Sequence, residues 1–351
     1  MSIKENPEIT CAMPKSDNSR VLLAHGGGGK LMHQLLDKIF FPAFESPELI
    51  AGLDGAIIEG HKGRLAFSTD SYVVDPLFFP GGNIGSLAIN GTINDLAMCG
   101  ARPLYLSVGF IIEEGFAIES LEKIVQTMHR TANEAGVKIV TGDTKVVDKG
   151  KGSGLFINTA GIGIIEHELS ISPRSIRTDD AIIINGDIGR HGIAVMTERG
   201  NLGFDNKMAS ACAQLASTVN ELIKSGIDIH CLHDLTRGGL ATALVEIAEI
   251  SKQHIRLDED SIPVHPVVHS ACEILGIDPA YVANEGRFVA FVPESDTEKA
   301  IKILRSKCSW PDSSIIGRVT SQKSGIVTSK GILGAERLVD MLSGEQLPRI
   351  C

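Results

Sequence analysis

Apolar positions along this chain switch repeatedly between two spacings. Short runs that alternate or stay continuously apolar are followed by stretches repeating every three to four residues, the pattern of strands alternating with helices. Between residues 50 and 166 this predicts strands at Ala56–Glu59, Arg64–Thr69, Leu104–Ile112, Lys138–Thr141 and Leu155–Ile165. It predicts helices at Ile84–Cys99 and Ile118–Ala135, the second with Leu121, Ile124, Val125, Met128, Ala132 and Ala135 on one face and a stop at Gly136. An earlier helix is expected over Leu31–Phe40. The polar segment HELSISPRSIRTDD, residues 167–180, reads as a linker. A second α/β block follows. Its strand Ala181–Asn185 leads into a glycine-rich turn, Gly186–Gly192, that opens a helix. A long helix is expected at Asn206–Ser225, a loop at His230–Leu240 entering another helix, a strand at Arg287–Val292 and a short helix at Arg337–Leu342. The layout divides the chain into an arm with a glycine-rich loop (1–48), a first α/β domain (49–168), a linker (169–180), a second α/β domain (181–342) and a flexible tail (343–351).

One predicted helix does not read as an ordinary one. GSLAINGTINDLAMCGARP, from Gly85 to Pro103, is apolar through Leu87, Ile93, Leu96 and Ala97 and stops at Gly100 before Pro103. Asn90, Gly91, Asn94 and Asp95 interrupt it. Gly costs a helix roughly 1 kcal/mol relative to Ala, and Asn and Asp compete with the backbone. Two acidic segments, Ser68-Thr69-Asp70-Ser71 and Gly142-Asp143-Thr144-Lys145, read as loops following strands. Taken singly, each Asp is a turn or cap residue. Taken together, Asp70, Asp95 and Asp143 are expected to gather at one sheet edge, hard oxygen ligands beside a Lys, suited to Mg²⁺ carrying a nucleotide phosphate.

Composition narrows the function classes. The chain has 351 residues, 43% hydrophobic and 22% charged, enough for two cored domains. A net charge of −10 with no Lys/Arg-rich run argues against nucleic acid as a partner. No apolar run reaches the roughly 20 residues that span a bilayer. The polar N-terminus lacks a signal-peptide core, and seven scattered Cys without a CxxC fit a reducing cytoplasm.

Three further features carry candidate chemistry. Gly26-Gly27-Gly28-Gly29-Lys30 exposes backbone N–H groups as a phosphate cradle requires, although Ala24 and Leu31 stand where a Walker A loop has Gly and Ser or Thr. A hinge before the next helix accounts for the glycines equally well. His230, Cys231, His233 and Asp234 match no standard zinc spacing and would point in different directions on an extended segment, so they read as a strand end running into a helix. His265 and His269 lie in HPVVH, without the Glu of a zinc protease, and read as structural. Leu347-Pro348-Arg349-Ile350-Cys351 places a thiol on a tail of nine residues with a reach of at most roughly 30 Å. A frayed terminus is the plain alternative.

The motif order GGGGK, STDSYVV, NGTINDLAMCGARP, GDTKVV, GDIGRHGIAV, HDLTRGGLA, NEGR and PRIC resembles the HypE family of hydrogenase maturation proteins, from about Arg20 to the last residue. That family belongs to the superfamily of aminoimidazole ribonucleotide (AIR) synthetase, selenophosphate synthetase and thiamine monophosphate kinase. The resemblance implies two α/β domains of α+β type, each a mainly antiparallel sheet with helices on one face, the N-terminal sheets pairing in a homodimer. It implies that HypF carbamoylates the thiol of Cys351 and that ATP then drives dehydration of the S-carbamoyl group to S-cyanate. The cyano group passes to iron on a HypC–HypD complex, for [NiFe] hydrogenase. Nucleotide contacts are implied for Gly27, Gly28, Lys30, Asp70, Asp95, Asp143, Thr144 and Asp234, with Asp70, Asp95 and Asp143 holding Mg²⁺. Loss of the carbamoyl oxygen as phosphate also needs a base for the amide protons. Glu285 and Lys145 are the candidates, and Lys145 alternatively stabilises the carbonyl oxygen. Asp234 and Arg237 are assigned to the cleft between domains, although capping the following helix accounts equally well for Asp234. Two other functions fit the same motifs: an ATP-dependent synthetase or kinase acting on a free small molecule, and a non-enzymatic nucleotide-binding scaffold.

Overall fold

The computed structural model describes residues 19–26, 30–50, 56, 58, 60, 62–200, 208–331 and 334–341. A 3-10 turn at Leu23–Gly26 precedes α1 (Lys30–Leu35), a π-helical stretch Leu36–Phe40, α2 (Phe41–Phe44) and α3 (Pro47–Ile50). The helix expected over Leu31–Phe40 therefore forms, but it changes pitch at Leu36. The strand expected at Ala56–Glu59 falls on a partly described segment, and its described residues Ala56 and Ile58 lie in no strand.

The first sheet uses β1 (Arg64–Tyr72), followed by the two-residue pair β2 (Phe78–Phe79) and β3 (Gly82–Asn83), which stands apart. Then come α4 (Ile84–Met98), β4 (Arg102–Glu113), α5 (Ile118–Glu134), β5 (Lys138–Val147) and β6 (Leu155–Ile165). The sheet order is β1-β6-β4-β5, antiparallel except for β4 beside β5. The two acidic segments expected as loops are inside strands: Asp70 in β1 and Asp143 in β5. Cross-strand pairing extends both strands past their apolar runs, Asp70 opposite Thr159 and Asp143 opposite Gly109. Helices α4 and α5 cover one face and build the core with Leu106, Val108, Phe110 and Ile112 of β4. The other face is open.

The second domain contains β7 (Ala181–Ile184), α6 (Arg190–Gly200), α7 (Ala216–Lys224), β8 (Cys231–Asp234), α8 (Gly239–Ser251), β9 (His254–Asp258) and α9 (Pro266–Leu275). It continues with β10 (Phe288–Val292), α10 (Glu294–Ser306), β11 (Ser314–Thr320), β12 (Val327–Lys330) and β13 (Glu336–Val339). Its strands order as β13-β12-β9-β11-β7-β10-β8, with β12 and β9 the parallel pair. Helices on one face hold for the first sheet but not for this one. Ile182 and Ile184 pack with α8 on one side, while Ile183 packs with α7 and α10 on the other. The continuously apolar runs of β7 and β10 follow from burial on both faces.

Two expected helices are corrected. Of Asn206–Ser225, the helix starts at Ala216, and Met208–Leu215 is an irregular strap. Its backbone groups are taken by other elements instead of by a helix: Ser210 N–H donates to Pro80 O at 2.7 Å and Leu215 N–H to Asn94 Oδ1 at 2.8 Å. The segment expected as helix Arg337–Leu342 instead forms the edge strand β13, because pairing with β12 satisfies a stretch too short to sustain a helix.

Helix α4 is organised around close contacts on every side. Asn83 caps it, accepting from Gly85 N–H at 2.8 Å while Ser86 answers the Asn83 N–H at 3.0 Å, a capping box. Twelve of its fifteen residues are buried, so the stripe expected through Leu87, Ile93, Leu96 and Ala97 widens to the whole circumference. Gly91 is needed by packing: a Cβ there would stand 2.2 Å from the Tyr72 hydroxyl. Gly91→Ala should therefore destabilise the fold by about 1–3 kcal/mol, although Ala is the better helix former. Adding Tyr72→Phe should recover part of the loss. Urea unfolding of both single variants and the double variant measures this, and additive losses would refute the contact.

Candidate active site

The cleft between the domains is built from opposite sides. On the first domain, Ser68, Asp70 and Tyr72 share the helix-covered face of β1, and Asp95 reaches back to them from α4. Ser68 Oγ–H donates to Asp95 Oδ2 at 2.6 Å. From the second domain come Asp234 at the end of β8 and Glu285 just before β10. Backbone pairing of Phe288 with Asp234 holds these two segments side by side. Gly286 makes this approach possible: its φ is +70, and a Cβ there would lie 2.5 Å from Ala211 O and 2.7 Å from Ala213 N of the strap.

Like charges dominate the electrostatics. Burial raises the Asp95 pKa, with Asp70 adding to the shift and the Ser68 hydrogen bond opposing it. Burial and the Asp95 charge push Asp234 up to about 7. Glu285, 3% exposed, is raised well above the usual carboxylate range by burial and by Asp234, Asp70 and Asp95. The Tyr72 phenol is raised as well, chiefly by burial. His233 opposes the charge at Asp95 and Asp234. Its Nδ1–H donates to Asp234 O at 2.6 Å. Clustered acids with shifted pKa values in a cleft mark a functional site.

The structure brings Asp70, Asp95, Asp234 and Glu285 together. It does not bring Asp143 or Lys145 to them within one chain, so the expected gathering at one sheet edge is corrected. Asp143 ends the cross-strand row Ser71–Asn158–Gly109–Asp143 on the open face, whereas Asp70 points to the helix side. Neighbouring strands are roughly 4.8 Å apart, so three steps separate β1 from β5. Lys145 Nζ–H donates to both Asp143 oxygens at 2.7 Å, holding that carboxyl below its usual range. Thr144 is buried on the opposite side of β5 from these two. Gly26 packs on the same strand, where a Cβ would stand 2.7 Å from Val146 N. The glycine-rich loop thus leaves from beside Lys145. Gly27 and Gly28 lie outside the described residues, as does Cys351, and Lys30 opens α1.

The open readings of other motifs resolve. Gly238, in the left-handed region, occupies the N-cap of α8, so Asp234 is not its cap. Arg237 is exposed. His265 caps α9 by accepting from Val267 N–H, a structural role. His230 is buried against Asp180, 2.7 Å away, on the other side of the strand from His233. Within the glycine-rich turn, Asp187 is paired with both Arg190 and Arg287. Tyr72 and His233 are site residues that sequence reasoning missed. The period of two from Ser68 through Asp70 was the available signal for Tyr72.

Comparisons with known proteins agree with this architecture. Residues 52–165 match the model of the AIR synthase related protein N-terminal domain, and residues 177–330 match that of its C-terminal domain. The chain is 48% identical over 335 residues to carbamoyl dehydratase HypE of Rhizobium leguminosarum bv. viciae, covering 95% of this chain and 96% of that one. A crystal structure of hydrogenase maturation protein HypE in complex with ATP superposes with a TM-score of 0.90 at 45% identity, over 94% of this chain and 99% of that one. A HypE–HypF complex superposes at 0.77 with 44% identity, over 90% and 100%. Matched along nearly its whole length in sequence and fold, the chain belongs to the AIR synthase related family and, within it, to the HypE carbamoyl dehydratases.

Proposed function

We propose that this chain dehydrates an S-carbamoyl group on its own Cys351 to S-cyanate at the expense of ATP, the step that supplies cyanide for the iron of [NiFe] hydrogenase. The observation that carries the reading is Glu285, a buried carboxylate held by the second domain against the Asp70 and Asp95 side of the first. HypF is the carbamoyl donor and a HypC–HypD complex the acceptor. The described cysteines are free thiols, as in a reducing cytoplasm, where we place the protein. Among the described residues no helix is long and apolar enough to cross a membrane.

The chemistry follows from the groups present. The carbamoyl oxygen takes the γ-phosphoryl group of ATP and ADP leaves. Glu285 accepts one N–H proton. The C–O bond then breaks, the second N–H proton leaves with the departing phosphate and the C≡N bond forms. R–S–C(O)NH2 and ATP become R–S–C≡N, ADP and phosphate, the phosphate carrying the carbamoyl oxygen. Burial that raises the pKa of Glu285 also makes its ionised form a stronger proton acceptor. Lys145, on the open face, is the less direct base of the two candidates.

Mg²⁺ with ATP fits the residues present. Among the described residues no group of three or more His, Cys, Asp or Glu is arranged to hold a metal by itself. Mg²⁺ usually keeps waters and phosphate oxygens and uses one or two carboxylates, so Asp70 and Asp95 suffice for an ion that arrives with nucleotide. Bound there, it would supply neutralisation of the phosphate charge.

The tail has the reach it needs. Tyr281 O–H donates to Asp340 O at 2.9 Å, which roots the last described segment four residues before Glu285 in the chain. Those four residues span at most roughly 14 Å, and the stretch from Asp340 to Cys351 at most roughly 38 Å.

The open face of the first sheet carries Leu65, Phe67 and Ile111, exposed at 58%, 70% and 45%. Ile162, the cross-strand neighbour of Phe67, continues the apolar surface. Solvated sheet faces are normally polar, and patches of this kind mark interfaces. We assign this face to a second copy of the chain, which places Asp143 and Lys145 at the interface, next to the base of the glycine-rich loop.

Four outcomes test these readings. Cys351→Ala should accept no carbamoyl group from HypF. Glu285→Gln should accept it and dehydrate it about 10²–10⁴-fold more slowly, followed by intact mass with ATP and Mg²⁺; normal conversion by Glu285→Gln would remove it as the base. Asp95→Ala should bind Mg²⁺–ATP at least about tenfold more weakly by calorimetry while its thermal unfolding stays cooperative; unchanged affinity would overturn the nucleotide assignment. Phe67→Glu should shift the sedimentation coefficient from dimer to monomer with an unaltered far-UV circular dichroism spectrum.

A further inference from the structure

Among the described residues, three buried side-chain polar atoms have no hydrogen-bond partner: Asn90 Oδ1, Glu285 Oε2 and Gln253 Oε1. Two of the three border the same part of the cleft. Asn90 Nδ2–H donates to Cys212 Sγ of the strap at 3.4 Å, which orients the amide and turns its oxygen away from the thiol. Glu285 is beside the same stretch, because Gly286 packs onto the residues flanking Cys212. Asn90 is 5% exposed and Glu285 3%. Tyr72 reinforces the arrangement, with its hydroxyl against Gly91, next to Asn90.

Leaving a buried acceptor without a donor costs roughly 1–3 kcal/mol. Two such atoms, one from each domain, call for a ligand that donates twice from one atom. A primary amide nitrogen does this, and can displace the only simpler double donor, a water. A hydroxyl donates once, and a secondary amide donates once while pushing a carbon toward the other acceptor. The neighbouring carboxylates Asp70, Asp95 and Asp234 belong to the phosphate side and are not needed for this contact. Asn94, one turn away, has both amide atoms committed to the strap, with Nδ2–H donating to Ala213 O at 3.1 Å and Oδ1 accepting from Leu215 N–H. The two amides of α4 therefore differ: Asn94 holds the strap, while Asn90 keeps one oxygen for something else.

We propose that Asn90 Oδ1 and Glu285 Oε2 form a two-acceptor cradle for the –NH2 of a primary carbamoyl group, making Asn90 a substrate-binding residue that selects an unsubstituted nitrogen. The inference rests on the dehydratase reading and deepens it. Two N–H bonds are also what the reaction consumes, since both protons must leave before C≡N can form. Recognition of both protons and the chemistry performed on them coincide at one atom. Glu285 accepts a proton, and Asn90 holds the nitrogen in line while it does so.

The test uses full-length protein whose final residues are joined by ligation, so that Cys351 carries either carbamoyl or N-methylcarbamoyl and loading by HypF is bypassed. First-turnover ADP formation, the phosphoryl transfer that either tail can undergo before any C≡N bond forms, is measured with saturating ATP and Mg²⁺ for the wild type and for Asn90→Ala. Wild type should favour carbamoyl over N-methylcarbamoyl by at least about tenfold, as a site that hydrogen-bonds a substrate N–H discriminates against its substituted analogue. Asn90→Ala should lower that preference at least about fivefold while its ATP affinity stays within a factor of about two. A purely structural role for Asn90, loosening the strap, would slow both substrates alike and leave the preference in place, which would overturn the proposal. Equal rates for the two tails in wild type would overturn it without any variant, should Asn90→Ala not fold. If wild type fails to convert the carbamoyl tail to cyanate at all, the dehydratase reading itself falls, and that result is separate from either of the others.

Discussion

Burial of α4 on every side is the constraint on which the rest depends. A helix packed on one face can turn its polar residues to water. This one touches β1, β4 and β6 of its own sheet, α5 behind it, and α7 and β8 of the second domain. Polar groups on it must then find partners within the protein or on a bound ligand, because an unmet buried group costs as much as a good hydrogen bond contributes. Thr92 pairs with Thr159 at 2.5 Å, Asp95 with Ser68, Asn94 with the strap, and Asn83 closes the N-terminus. Of these bonds, those from Asn94 to the strap cross between the domains and tie the second domain to α4 beside the cleft.

The strap Met208–Leu215 is the second consequence. A helix in its place would have satisfied its own backbone and had nothing left to offer α4. Left irregular, the segment lends its N–H and C=O groups to Pro80 and Asn94 and passes close to Gly286. It fills the seam between the domains and shields the Glu285 side of the cleft. Cys212 in the middle of it is a neutral thiol, pushed up to about 12 by burial and by the Glu285 charge, so it packs and accepts without competing with the carrier thiol.

The acidic cluster is costly to the folded chain, since like-charged carboxylates are held together with little opposing charge. Such a cost is retained where a bound cation removes it. The cleft and the open sheet face divide the candidate residues between them. Asp70, Asp95, Asp234 and Glu285 stand in the cleft, whereas Asp143 and Lys145 stand on the face assigned to a second copy. A chain read alone therefore shows four of these six residues in one place.

Period and punctuation in the sequence determined most elements by themselves. The helix Ile118–Glu134 and the starts of the strands at Arg64, Lys138 and Leu155 followed from apolar spacing, and Gly136 marked the end of the helix, because those signals are local. The oddity of α4 was also legible, since Asn90, Gly91, Asn94 and Asp95 are poor helix residues whatever surrounds them. Tertiary structure alone decided what each of them does: Gly91 yields to Tyr72, Asn94 ties the strap, and Asp95 faces the cleft. It also decided that Asp143 points away from Asp70, because the face of a strand residue depends on register with strands far along the chain. Strap and edge strand were misread as helices for the same reason. Their backbone hydrogen bonds go to partners beyond the next helical turn, Leu215 to Asn94 and β13 to β12, and no local pattern records such a partner.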